Sequence, residues 1–99
     1  MSVVPGAQLL KDPDADLAYD MDWSDWLGAD ATIDTSTWSS TPTGLTLHDD
    51  STPESNTFAQ TFISGGTVGK TYKVTNEIVT DETPPQTDNR SFFLKITER

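Results

Sequence analysis

Six carboxylates crowd the segment KDPDADLAYDMDWSDWL at 11–27: Asp12, Asp14, Asp16, Asp20, Asp22 and Asp25. The D-x-D-x-D spacing of the first three opens an EF-hand loop, which also needs Gly at its sixth position and Glu at its twelfth. Those places hold Leu17 and Trp23, so the EF-hand is excluded. The reading is an acidic strand entry with Pro13 setting a turn, ahead of a looser calcium site. Asp20 and Asp22 are the two carboxyls a glycosidase would need. Such a pair must face each other across a cleft, with one pKa raised. At i, i+2 they instead share one face of a strand, and the expectation is its wet side.

His48, the single histidine, stands beside Asp49, Asp50 and Ser51. A nucleophilic triad is defined by geometry and not by adjacency, and no G-x-S-x-G elbow is present. His48 is read as an exposed strand end. With one His and no Cys, zinc lacks ligands. SGGTVGK (64–70) has the Gly-Lys-Thr ending of a phosphate loop. Its earlier glycines are three and four residues back from Gly69, and a strand pattern follows where a helix is required. It reads as a strand-to-strand crossover. Trp23, Trp26 and Trp38 fit a buried cluster better than a sugar-stacking platform, with Trp26 partly exposed. No catalytic, cofactor-binding or metal-ligating residue is expected, and no cofactor.

The elements that would position these groups are strands. Leu17, Tyr19, Met21 and Trp23 alternate with the acids, which is the period of a half-buried strand; at 100° per residue both rows would scatter around a helix. WSDWLG breaks the alternation with a turn or one helical turn, and Gly28 stops it. Further strands are expected at about 31–39, over GLTLHDD, at about 56–63, over KTYKVTNEIVT and over RSFFLKITE. In the last, Phe92, Leu94 and Ile96 share one side, with Phe93 and Lys95 on the other. Pro84 and Pro85 cannot continue a sheet. Turn signals every 8–12 residues indicate an all-β sandwich or barrel. Gly69-x-x-Tyr72-x-Val74 is how many immunoglobulin-like sandwiches place a corner tyrosine, whose hydroxyl bonds nearby backbone; a plain core tyrosine is the alternative.

Ninety-nine residues bound this to one domain with a modest core. Apolar residues are 33% of the chain, and nine aromatic rings make up area. The net charge of −10 argues against nucleic acid, whose phosphates need Lys and Arg, and favours solubility or a basic partner. Of six basic residues only Lys11 precedes Lys70, whereas eleven of the sixteen acids do. No signal peptide and no membrane span are visible. Residues 1–13, with Pro5, Gly6 and Pro13, show no period and read as an extended arm ahead of a sandwich domain at 14–99. Val3, Val4, Leu9 and Leu10 suggest that the arm docks, either on its own domain or on a neighbour. With Trp26 they are the candidate partner-binding residues.

Lys11 to Asp14, Asp22 to Leu27, Ser64 to Asn76 and Asp88 to Ser91 resemble the K-D-P-D, D-W-S-x-W-L, S-G-G-T-x-G-x-x-Y-x-V-T-N and D-x-R-S motifs of a family of small tailed-bacteriophage structural proteins. Its members are often labelled fiber–tail adaptors. Glu77 stands where members often carry a basic residue. The resemblance covers most of the chain from Lys11 on and implies an immunoglobulin-like β-sandwich of about six to seven strands, non-enzymatic and part of the virion. It would be made in the host cytoplasm and be present in multiple copies. It would join tail and fiber components; a capsid decoration or cement subunit is the alternative. The implied partners are other virion proteins of tail, fiber or capsid, with no membrane and no nucleic acid. The rival from another class is a carbohydrate-binding module using Trp26 and the acidic face.

Overall fold

The structure, a computed structural model, describes residues 2–28, 31–52 and 56–98. Its elements in order are β1 (Ser2–Val3), β2 (Gln8–Lys11), β3 (Leu17–Asp22), α1 (Ser24–Leu27), β4 (Ile33–Thr41), β5 (Leu45–Ser51), β6 (Phe58–Gly65), β7 (Thr71–Thr80) and β8 (Thr87–Ile96). They form two four-stranded sheets, β1-β3-β6-β5 and β2-β8-β7-β4. The chain is an all-β sandwich measuring 44 × 21 × 21 Å.

The core lies between the sheets and follows from the alternation. Tyr19, Met21 and Trp23 point in from the first sheet with Ala59 and Ile63. Tyr72, Val74, Ile78, Phe92, Leu94 and Ile96 point in from the second. Leu17, first of the inward row, remains partly exposed at the sandwich end. Two polar groups are buried among these rings. Asn76 accepts from Trp23 Nε1 at 2.8 Å and donates to Ser36 Oγ at 2.9 Å, so one amide joins the end of β3 to β4 across the layers. Arg90 closes that end, its guanidinium 4.3 Å from the Trp23 ring and bonded to the Asp22 carbonyl at 3.1 Å.

The six strands expected from 16 onward correspond to β3 through β8, with β4 and β6 displaced about two residues along the chain. Residues 1–13 supply two more. β1 lies parallel to β3 in one sheet, and β2 lies parallel to β8 in the other. The crossing is made at Pro5-Gly6, where Gly6 has φ +82° and the Ala7 amide bonds the Val4 carbonyl at 3.0 Å. The stretch read as an arm therefore docks on its own domain.

The glycine-rich segment carries the chain from β6 in one sheet to β7 in the other, as a crossover should. A Cβ on Gly66 would lie 2.6 Å from Ile96 Cγ1, and φ there is +103°, so only glycine fits. Tyr72 is fully buried, and its hydroxyl accepts the Thr67 amide at 3.0 Å, five residues upstream.

Candidate functional site

The carboxylates of 11–27 do not converge. Asp12 accepts the Asp14 amide at 2.8 Å and closes an Asx turn around Pro13. Asp20 accepts from Gln60 Nε2 of the neighbouring strand. Asp22 accepts both the amide of Ser24 at 2.8 Å and its hydroxyl at 2.6 Å, which starts α1. The Ser24 hydroxyl bond, then the Ser24 amide, holds the Asp22 carboxyl below its usual range. Asp12, Asp20 and Asp22 thus each serve a local contact, and Asp20 and Asp22 stand on the outer face of β3 as their spacing requires.

His48 also stands on the outer face, opposite Phe62, with the two rings 5.7 Å apart. Its Nε2 lies 2.9 Å from Asp16 and its Nδ1 2.8 Å from Asp49. The hydrogen bond to Asp49, then that to Asp16, pushes the imidazole pKa up. With both nitrogens engaged by carboxylates, the ring favours the imidazolium form and has no nitrogen open to take a substrate proton. Its effect is to clasp the 12–16 turn onto β5.

In the crossover, the amides of Thr67, Gly69 and Lys70 all bond within the fold, to Tyr72 Oη, the Ile96 carbonyl and the Thr67 carbonyl. A phosphate-binding loop must present such amides outward. The tryptophans form no common platform either. Trp23 is buried, Trp26 meets it edge-on at 73° and is half-buried, and Trp38 lies on β4 edge-on to Phe92. Trp38 borders a cleft of about 180 Å³ with Ser36, Thr37, Leu47, Asp50 and Thr61, and its Nε1–H has no partner among the described residues. That volume is below the roughly 300 Å³ at which small-molecule pockets begin.

Lys11 gave no signal of its fate in the sequence. It is wholly buried, and its ammonium donates to the carbonyls of Asp12 at 2.8 Å and Gly65 at 2.9 Å. Burial pushes its pKa down, opposed by the carboxylates of Asp12, Asp16 and Asp14. Because Lys11 ends β2 and Gly65 ends β6, the side chain pins one sheet to the other.

The sheet exteriors are the broad surfaces of the sandwich. Strand register places Asp20, Asp22, Gln60, Phe58, Phe62 and His48 on the outside of β1-β3-β6-β5. On the outside of β2-β8-β7-β4 it places Leu10 beside Lys95, and Phe93 between Gln8 and Lys73. Leu10 is 52% exposed and Phe93 37%. Among the expected contact residues, Val3 is buried in the core and Leu9 packs against it, while Val4 is 68% exposed in the turn between β1 and β2.

The sequence at residues 11–95 matches the family described as Podophage GP4 fiber-tail adaptor protein gp77. The chain belongs to that family. No curated protein matches it. This membership makes the chain a phage tail structural component of the virion. Within the adaptor, sequence reasoning singled out Leu10 but not the neighbours that make a surface of it. Phe93 and Lys95 were legible as the outward row of β8; nothing local set them beside residue 10.

Proposed function

We propose that the chain is a non-enzymatic adaptor that joins tail and fiber components, and that its attachment surface is the outer face of the β2-β8-β7-β4 sheet. The strand order supports an immunoglobulin-like reading, with the first strand divided between the sheets. One observation carries the proposal. Leu10 and Phe93 stand exposed among Lys73 and Lys95 on a chain whose net charge is −10. An apolar centre with a charged rim is the usual anatomy of a protein interface. Collecting scarce lysines on one face steers an acidic protein to it. The adaptor would act in multiple copies, so that weak contacts add through repetition.

The test is Leu10→Asp with Phe93→Asp. The double variant is expected to fold, since both side chains face outward, and to be missing from purified particles. Its normal incorporation would remove this face from the function. Quantitative mass spectrometry of the same particles separates the tail position from capsid decoration: tens of copies or fewer indicate the tail, hundreds the capsid.

A further inference from the structure

Each open sheet ends in two edges, and an uncovered edge is a row of backbone donors and acceptors ready to take another strand. Three of the four edges here are guarded. β1 is two residues long and leaves no uncovered piece of β3 longer than Leu17–Tyr19. β2 is four residues long, and beyond it β8 carries Asp88 and Arg90. β5 keeps its register with β6 only from Leu45 to His48; the register then shifts, with Asp49 at φ +52° and Asp50 beside it. β4 is different. It ends the sheet β2-β8-β7-β4, and no described strand pairs with its outer side. Its one irregularity lies at exposed Asp34, between Ile33 and Thr35. From Thr35 to Thr41 it pairs with β7 in unbroken register. That run, TSTWSST, has no charge, no proline and no glycine. In an antiparallel pair, alternate residues turn both backbone groups away from the neighbour, so about half of the run offers its N–H and C=O to the outside.

We propose that the outer edge of β4 takes an extended segment of a tail or fiber protein, which adds to the sheet as a fifth strand. This rests on the adaptor reading but not on the Leu10–Phe93 face. Backbone pairing supplies the hold, and side chains at alternate positions choose the segment. The outward row that the segment meets is Thr35, Thr37, Ser39 and Thr41, all exposed. Hydroxyl-bearing and β-branched residues are the favourable cross-strand partners of such a row. On the inward side lies the cleft bordered by Ser36, Trp38, Leu47, Asp50 and Thr61. At about 180 Å³ it is small for a ligand molecule but has room for one side chain. A lysine or arginine suits it, with the stem along Trp38 and Leu47 and the head at exposed Asp50. The net charge of −10 selects a segment of the same sign. A second copy is the poorer occupant. Among its described edges only β4 matches the run in length and regularity. That pairing would set two chains of −10 at a strand spacing of about 4.8 Å, with no lysine or arginine on either β4 to offset it.

Hydrogen exchange resolved to single amides compares the free chain with the chain in purified particles. In the free chain, alternate amides of 35–41 should exchange fast, as edge amides do, while those bonded to β7 are slow. In particles the fast set should slow by about tenfold or more, and the edge amides of β5 should keep their rates. Unchanged exchange in 35–41 overturns the proposal, as does equal slowing on both edges, which marks general cover. Slowing that sets in as the free chain is concentrated, with dimers in sedimentation velocity, assigns the edge to a second copy and also overturns it. Proline tests whether the edge is needed. Ser39→Pro and Ser40→Pro fall at consecutive positions, so one removes an N–H bonded to β7 and the other an N–H on the edge. The edge variant is the one that melts near the parent chain, and it should be lost from particles. Thr37→Lys with Ser39→Lys, a guard of the kind natural edges carry, should give the same loss without touching the backbone. Normal incorporation of a folded edge variant overturns the proposal. Loss of the edge variants with normal incorporation of Leu10→Asp with Phe93→Asp supports the edge and removes the face, so the two readings fail separately.

Discussion

On one exterior of the sandwich, Asp20 is held by Gln60, Asp22 by Ser24, and Asp16 and Asp49 by His48. On the other, Lys73 and Lys95 have no side-chain hydrogen bond or ion pair among the described residues, and the side chains of Leu10 and Phe93 are exposed beside them. The difference separates charge that builds the fold from charge that the fold leaves over. A carboxylate with a local donor fixes a turn or a strand pair and would be retained without any partner. Lysines around exposed apolar groups have no such local task, and the attachment proposed for that face would give them one.

The largest effect belongs to the core on which both faces stand. Trp23→Ala should destabilise by about 3–5 kcal/mol in denaturant unfolding, since it empties a fully buried site and leaves the Asn76 carbonyl without its donor. A cost like that of a surface change would mean that the rows of β3 are reversed, because a one-residue slip exchanges the two faces.

Lys11 comes next, as the lysine that the fold does use. Lys11→Met keeps the stem but removes the donor to the Asp12 and Gly65 carbonyls, and should cost about 1–3 kcal/mol. Equal or greater stability would show that the desolvation of the buried ammonium outweighs its bonds.

A matched pair then compares the faces directly. Asp22→Ala should cost about 0.5–1 kcal/mol, because it removes the anchor of α1 although it faces water. Lys95→Ala should stay within about 0.5 kcal/mol. If the two costs are equal, the contrast between structural and unspent charge fails. The acid side has a pH signature. The folded pKa of Asp22 is depressed, so its contribution is present above the ordinary value of 3.8 and is lost as pH falls through the folded value.

His48 provides the smallest effect, of opposite sign. Its folded pKa is raised, so the clasp contributes fully below the ordinary value of 6.5 and fades as pH rises through the folded value. The melting temperature of the parent chain should decline slightly across that window, and His48→Gln should flatten the decline. An unchanged slope in the variant would assign the decline to other groups.

Period-two alternation by itself determined the strands from 17 onward and the inward sides of β3, β7 and β8, because successive side chains must point to opposite faces wherever a strand forms. The crossover glycines and the Tyr72 hydroxyl bond were legible for the same kind of reason, since turn chemistry and a short reach act within a few residues. The place of Asp20 and Asp22 on the outer face of β3 also followed from spacing, whereas their bonding partners did not. Tertiary structure alone decided where the first thirteen residues go. Strands of two and four residues are too short to show a period, and their parallel partners are nearly twenty and more than eighty positions away. It decided the burial of Lys11, whose second carbonyl partner, Gly65, comes from the opposite sheet. It also joined Leu10 to Phe93 and Lys73 in one face, because lateral order in a sheet is set by which strands pair, and pairing is a contact between segments that no local pattern records.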